Sequence, residues 1–477
     1  MNQKTETMRH LKNKSIHKLL LLAMLSCFFN TNGQALQSEI LSYSEYLGYV
    51  KKFHPRIKQA NLKINAGEAE LMKARGAFDP KIEVDYDKKQ FKDKEYYSVL
   101  NSSFKIPTWY GIEIKASFDN GEGIYINPEN TTPNSGLTSV GITIPVGQGL
   151  WINQRMTDLR KAKLQIQLSE AEQRLAAVEV LYDASVSYFD WLKAYNELKL
   201  YQNYLIFAET RYDGIIKLIE LGDKPGIDSI EAGIVIKNRQ INLLEAEQKL
   251  TKAKLQLANF LWIENVPVEL QETIIPDEAL QKKIIQDLPF NLTESESLLS
   301  DNHPKLISLQ RKIDMLTLDR KLKSNMLLPK LDIGYYYLSE PSYFDNYRLE
   351  DYKIGLNFSF PIFLRKERGT LNLAKLKLQD SQLDLNLERL QLDNKVKAGR
   401  VEINTLQNQI TITNTLVEDY FKMLQSEERL FSFGESSLFL INSRENSLIT
   451  SQISKINLEN RYLNSFASLF KIMGILN

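Results

Sequence analysis

The order of apolar and polar positions changes period in the same way in each half of the chain. From His54 and again from His303 the pattern is helical, and each helical stretch stops at a proline 26 residues later, Pro80 or Pro329. Directly after those prolines the period becomes two. Leu331, Ile333, Tyr335 and Tyr337 alternate with smaller or polar residues; after a connection, Ile354, Leu356, Phe358 and Phe360 alternate with Lys353, Gly355, Asn357 and Ser359 up to Pro361. In the first half Ile82, Val84 and Tyr86 alternate with Glu83, Asp85 and Asp87, and Ile112 to Phe118 and Val140 to Ile144 do the same up to Pro145. The tetrapeptides His54-Pro55-Arg56-Ile57 and His303-Pro304-Lys305-Leu306 stand 249 residues apart, as do the two closing prolines, which marks an internal duplication. The strand region of the first copy is about twice as long as that of the second, so an extra hairpin or loop lies between 91 and 138.

Long stretches without proline follow Pro145 and Pro361. A continuous helix over 153–221 would be about 100 Å long at 1.5 Å per residue, beyond any globular core, so it must pack as a coiled coil. Leu164, Leu168, Ala171, Leu175, Val178 and Tyr182 supply a heptad seam. In the second copy Leu371, Leu378, Leu385 and Leu392 form one stripe, and Leu376, Leu383 and Leu390 another about 200° around the helix. Two opposed seams suit a helix in the wall of a closed tube; a large antiparallel bundle is the plainer alternative. Leu221-Gly222-Asp223 and Phe433-Gly434-Glu435 mark matching helical-hairpin turns, where Gly222 and Gly434 end the long helices and shorter ones return.

The chain therefore divides into a leader at 1–33, a first repeat at 34–266, a linker at 267–302 and a second repeat at 303–477. The first repeat has strands over about 81–145 and a helical hairpin over about 153–262; the second has strands over about 331–361 and a hairpin over about 365–474. Within the leader a basic stretch ends at Lys18, an apolar run extends from Leu19 to Phe29, and small or polar residues follow, which reads as a secretory signal. Met24-Leu25-Ser26-Cys27 loosely matches a lipoprotein signal, and Cys27 is the only cysteine, so the mature chain holds no disulfide. Without the leader there remain 55 basic and 58 acidic residues, which offers no electrostatic footprint for nucleic acid.

The candidate chemistry is sparse. Of four histidines, His10 and His17 fall in the leader, and His54 and His303 each precede a proline at a helix start, so no histidine or cysteine constellation for catalysis or metal binding can form. No phosphate-binding loop or hydrolase motif is present, and Ser102-Ser103-Phe104-Lys105 matches a nucleophile motif only by chance, within strand-like sequence. No catalytic, cofactor-binding or metal-ligating residue is assigned, and the chain is not expected to be an enzyme. Carboxylates at a helix tip remain. Asp228 and Glu231 are three apart on one face after the Gly222–Gly226 turn, and fit either a capping box or a pore entrance.

The duplicated starts at His54 and His303, strands closing at Pro145 and Pro361, and hairpins turning at Gly222 and Gly434 together resemble the outer-membrane efflux proteins of the TolC type. The resemblance implies an α+β membrane protein in which a duplicated helix-strand-strand-helix unit forms a trimeric β-barrel continued by a long α-helical coiled-coil tunnel. Each chain would give four strands to a shared twelve-stranded barrel in the outer membrane of a Gram-negative bacterium and extend into the periplasm. The implied role is passive export with a periplasmic adaptor and an inner-membrane pump of the RND or ABC type; the alternative is a periplasmic coiled-coil adaptor or scaffold without a barrel. The acidic constriction of the family falls six and nine residues after the second-copy glycine, where this chain has Leu440 and Ser443. Asp228 matches a residue of the network that restrains the family's closed state, whose arginine and tyrosine partners align with Ser436 and Phe431.

Overall fold

The computed structural model describes residues 39–280, 302–343 and 348–474. The leader, most of the inter-repeat linker and the lipoprotein-like cysteine lie outside the described residues. Each repeat opens with a 22-residue helix, α2 (Pro55–Gly76) and α5 (Pro304–Asn325), and the two start alike. The Nδ1 atoms of His54 and His303 accept from the backbone amides of Arg56 and Lys305 at 3.3 and 3.1 Å, satisfying a donor that the first turn leaves free. Proline at the first helical position loses no hydrogen bond there. The other side of each ring meets the end of a returning long helix: His303 Nε2 lies 2.9 Å from the Ile472 carbonyl, and His54 stacks on Phe260 at 5.5 Å. Burial holds both imidazoles below their ordinary value of 6.5.

Past these helices come the strands β2 (Lys81–Phe91), β3 (Lys94–Pro107), β4 (Glu113–Glu122) and β5 (Leu137–Gly147) in the first copy, and β9 (Lys330–Ser339) and β10 (Tyr352–Ser359) in the second. They form one antiparallel sheet in the order β10-β9-β5-β4-β3-β2. One register row reads Ile82, Phe104, Ala116, Val140, Tyr337, Tyr352 across the six strands, and the adjacent row reads Lys81, Lys105, Lys115, Gly141, Tyr336, Lys353. Because successive side chains point to opposite faces, one face of the sheet is apolar and the other polar over its whole width. The tyrosines divide accordingly: Tyr335 stacks on Tyr352 at 5.8 Å on the apolar face, and the Tyr336 hydroxyl meets that of Thr143 at 2.6 Å on the other.

The six strands of this sheet depart from the four per chain that the resemblance implies for the barrel. The strand that the alternation does not reveal is β3, where Ser98 and Ser102 interrupt the apolar face. The ladder absorbs them: the Ser102 hydroxyl donates to the Phe118 carbonyl at 3.0 Å. Ser102 and Lys105 stand on opposite faces of the sheet, with Lys105 paired to Glu83, which removes any catalytic reading of that motif.

The long helices are α3 (Gln154–Glu220) with α4 (Ile227–Ala258), and α6 (Arg365–Ser432) with α7 (Leu438–Met473). Away from the sheet they pack in a row, α4 on α3, α3 on α7, α7 on α6; nearer the sheet the row is α2, α3, α5, α6. Midway, α1 (Tyr43–Phe53) and the short parallel pair β1 (Glu39–Leu41) and β8 (Ile274–Pro276) girdle α3, with the two-residue strands β6 (Trp262–Ile263) and β7 (Val266–Pro267) paired beside α1. Tyr46, Tyr188 and Trp191 are fully buried there, Tyr188 donates to the Leu41 carbonyl at 2.6 Å, and burial pushes the Tyr43 hydroxyl up to about 12.

The helices at the ends of the rows carry unpartnered seams. On α6 Leu378 is 7% exposed in the stripe that packs within the chain, whereas Leu383 in the opposed stripe is 62% exposed. On α4, Ala232, Ala246 and Ala253 are buried against the chain, while Ile227, Ile234 and Ile241 form an exposed stripe at heptad spacing. Each hairpin turns through a Schellman motif: Gly222 (φ +83°) and Gly434 (φ +79°) take the left-handed position, and Asp223 and Glu435 amides donate to Leu218 and Leu430 carbonyls at 2.9 and 3.0 Å.

Two predictions follow from these caps. Gly222→Ala and Gly434→Ala should each destabilise their hairpin by about 1 kcal/mol through the left-handed backbone, and Gly→Asn by less, read as unfolding midpoints. For the histidines, a folded-state value below 6.5 means that the unfolded chain binds more protons as pH falls. Their contribution is thus complete above about 6.5 and lost as pH falls through the lowered folded value. His54→Asn with His303→Asn keeps a capping oxygen, and should lose less thermal stability between pH 7.5 and 5.5 than the parent; an equal loss contradicts the assignment.

Candidate pore entrance

The tips of the two helical hairpins lie at the far end of α3 from the sheet, a 67-residue helix away, about 100 Å at 1.5 Å per residue. The turn at Gly222 leads through Pro225 and Gly226 into α4, and the turn at Gly434 leads into α7, which Ser437 caps by accepting from the Leu440 amide at 3.4 Å. The N-cap of α4 is Gly226, with no side-chain cap bond. The capping-box reading of Asp228 and Glu231 is therefore corrected: Asp228 sits inside the first turn, where its charge faces the positive end of the helix, and Glu231 is committed elsewhere. Its Oε1 accepts from Asn442 Nδ2 at 3.1 Å, across to α7 of the other hairpin. Asp228 is half-exposed at the tip, Leu440 and Ser443 are exposed on α7, and Gly222 and Gly434 form the two turns. Ser443 belongs to a neutral groove of about 670 Å³ between α6 and α7, lined also by Tyr420, Phe439, Asn446 and Ser447.

The strongest electrostatic feature of the tip is one that the sequence reading does not single out. Glu445 on α7 is 1% exposed and bonds two arginines, Arg211 of α3 at 3.1 Å and Arg239 of α4 at 3.2 Å. Arg239 also donates to Asn446 Oδ1 at 2.7 Å, and Arg211 reaches Glu428 of α6 at 3.4 Å, so one cluster joins all four long helices. Arg239 Nε has no hydrogen-bond partner among the described residues. Alongside, Tyr204 donates to Gln452 at 2.7 Å; burial, with the Glu445 charge adding to it, pushes its hydroxyl up to about 12. A second link stays within the second hairpin, where Glu427 accepts from Ser436 and lies 3.5 Å from Arg444. The familiar partner positions, Ser436 and Phe431, thus take other roles: Ser436 bonds Glu427, and Phe431 receives the Lys224 ammonium 4.4 Å above its ring.

A signal for the buried cluster does exist in the sequence. Arg239 occupies the heptad place between Ala232 and Ala246, and Glu445 falls between Ile441 and Leu448 at steps of four and three. A charge within an apolar seam is buried by the packing around it and must find a partner there. Among the described residues no cluster of side chains fits a metal ion, and no helix is long and apolar enough to cross a membrane.

Comparison with known proteins brings the fold and the tip together. The model of the outer membrane efflux protein family matches residues 297–475. No curated protein sequence matches. Among solved structures, the CmeC outer membrane channel of Campylobacter jejuni superposes with a TM-score of 0.64 at 14% identity, over 90% of this chain and 85% of that one. The MtrE outer membrane channel of Neisseria gonorrhoeae in its open state gives 0.64 at 13% identity over 92% and 93%, and the VceC outer membrane protein of Vibrio cholerae 0.63 at 13% over 90% and 95%. The family's sequence model thus covers the second repeat, and the fold of these outer membrane channels extends over both repeats.

Proposed function

We propose that the chain is the exit duct of a tripartite export system: a homotrimer whose barrel lies in outer-membrane lipid and whose helices form a tunnel across the periplasm. The observation that carries this reading is that one chain is a strip with two open sides. On one side stand the strand edge of β2 and the exposed seam of α4; on the other stand the edge of β10 and the exposed stripe of α6. The two sides differ, so copies join head to tail, and such contacts close into a ring or run on as a filament. Lipid tolerates no open sheet edge, which selects the ring. A scaffold without a barrel, the other reading of the sequence, leaves the apolar face of the sheet with nothing to cover it.

Transport through such a duct is passive, and the energy comes from partners: a periplasmic adaptor and an inner-membrane pump of the RND or ABC type. The hairpin tips are the end presented to them. In the threefold arrangement Asp228 and Glu231 recur three times around the axis, and like charges in a narrow passage raise the local concentration of cations. The acidic entrance belongs to the first repeat, because Leu440 and Ser443 carry no charge in the second. The Glu445 cluster holds the two hairpins in one arrangement, and it is the contact that any opening of the tip has to rearrange.

Two measurements test this reading. In planar bilayers, Asp228→Asn with Glu231→Gln should shift the reversal potential toward lower cation preference, and Leu440→Asp should raise it; an unchanged double variant removes these carboxylates from the pore. Glu445→Gln takes the counter-charge from buried Arg239 and leaves part-buried Arg211 only Glu428, a loss of about 3 kcal/mol by comparison with other broken buried pairs. Hydrogen exchange should then rise in 205–245 and 424–450 while the sheet keeps its protection; an unchanged tip contradicts the clamp.

A further inference from the structure

We propose that each chain gives all six strands to the barrel wall, so that three chains close a barrel of eighteen strands. The proposal rests on the trimeric reading above and deepens it, since the count that the resemblance implies is four strands per chain. It begins with the sheet faces. An accessory hairpin outside the membrane would have no reason to share the barrel's polarity, yet β2 and β3 continue the apolar row through Ile82 and Phe104 and the polar row through Lys81 and Lys105. Ile82 is 76% exposed in the single chain, and Val84 and Tyr86 repeat on the same face of an edge strand. Six apolar rows side by side on one face are a lipid-facing surface, and the opposite face, with its lysines, suits a water-filled lumen.

The second argument is the seating of the extra hairpin. Its base does not hang above the membrane end of the sheet but rests on the helices with the other strands. The short β3–β4 connection carries Trp109, which stacks on Phe78 at 5.8 Å and lies under the Arg160 guanidinium at 5.3 Å. Asn153 Nδ2 donates to the Trp109 carbonyl at 2.9 Å, and Arg155 of α3 pairs with Glu113 at the start of β4. Strands β2, β3, β4, β5, β9 and β10 therefore rise from one level.

The third argument is closure. A twelve-stranded barrel would seal β4 of one chain against β10 of the next, and β4 is already paired to β3 from Glu113 to Glu122. Breaking that ladder in lipid strands backbone groups at several kcal/mol each. Register supplies a further check. Following hydrogen-bonded partners from Lys81, the base of β2, leads to Lys353, six residues short of the base of β10 at Ser359. Six residues of about 3.3 Å over five strand steps of about 4.8 Å correspond to a tilt of about 40°, within the range of membrane barrels. Edge β2 runs up and edge β10 down, so neighbouring copies pair antiparallel, and the total is even. At that tilt eighteen strands stand about 36 Å apart across the barrel, against about 24 Å for twelve.

Disulfide trapping in outer-membrane vesicles tests it, with the full chain, whose only cysteine is Cys27 in the leader. One panel pairs Glu83→Cys or Asp85→Cys with Gly355→Cys or Asn357→Cys, on the polar face of β2 and β10; the other pairs Ser117→Cys of β4 with the same β10 positions. Oxidation should link the first panel into trimers on denaturing gels and leave the second as single chains. Linkage of the second panel, or none in the first while light scattering reports three chains, overturns the six-strand wall and leaves the trimer standing. A mass of one chain in light scattering overturns the trimer, and the proposal with it. As a readout independent of pairing, a fluorophore on Val84→Cys should be quenched by brominated lipid as strongly as one on Val140→Cys, and one on Asp85→Cys should not; an unquenched Val84 label also overturns the proposal.

Discussion

Unsatisfied edges are the constraint on which the rest of this structure depends. A sheet edge presents a row of unpaired amides and carbonyls, and a coiled-coil helix with a seam on each side presents an apolar stripe wherever one seam lacks a partner. This chain has both, at both ends of both layers: β2 with α4, and β10 with α6. A globular protein would fold the strip over to hide them. Helices of 67 and 68 residues cannot fold over, because their length sets the strip's height and their packing is side by side. In the ring proposed above, further copies cover these edges until the first edge meets the last.

Much of this is legible in the residues. The paired histidine-proline starts survive as two helices of equal length with matching caps, since a cap is a local device that needs only a few residues in the right order. The glycine turns at 222 and 434 are equally local. The opposed leucine stripes of α6 translate directly into one buried and one exposed seam. What alternation alone does not reveal is β3, because its apolar row is broken by serines whose hydroxyls are satisfied only by a neighbouring strand. Pairing partners lie outside the segment, and no local pattern reports them.

The same reason hides the tip cluster. Asp228 and Glu231 are conspicuous because they are adjacent in sequence and follow a turn, but the structure sends Glu231 to Asn442 and leaves the buried work to Glu445. Arg211, Arg239 and Glu445 come from three helices and meet only after the hairpins pack. Their burial gives the joint between the repeats a polar contact among apolar seams, and breaking one partner leaves the others charged and enclosed. The two repeats are thus alike in their caps and turns and unlike at the tip, where the first supplies half-exposed carboxylates and the second supplies the buried one.

The central claim is that the two unlike sides of the strip close on each other between copies. Single-particle imaging of the detergent-purified full chain tests it most directly. The account predicts a threefold ring in which α4 of one copy packs its exposed isoleucines against the outer leucine stripe of α6 in the next, with β2 beside β10 at the level of the sheet. A single chain, or a pair joined through two copies of the same side, would contradict it.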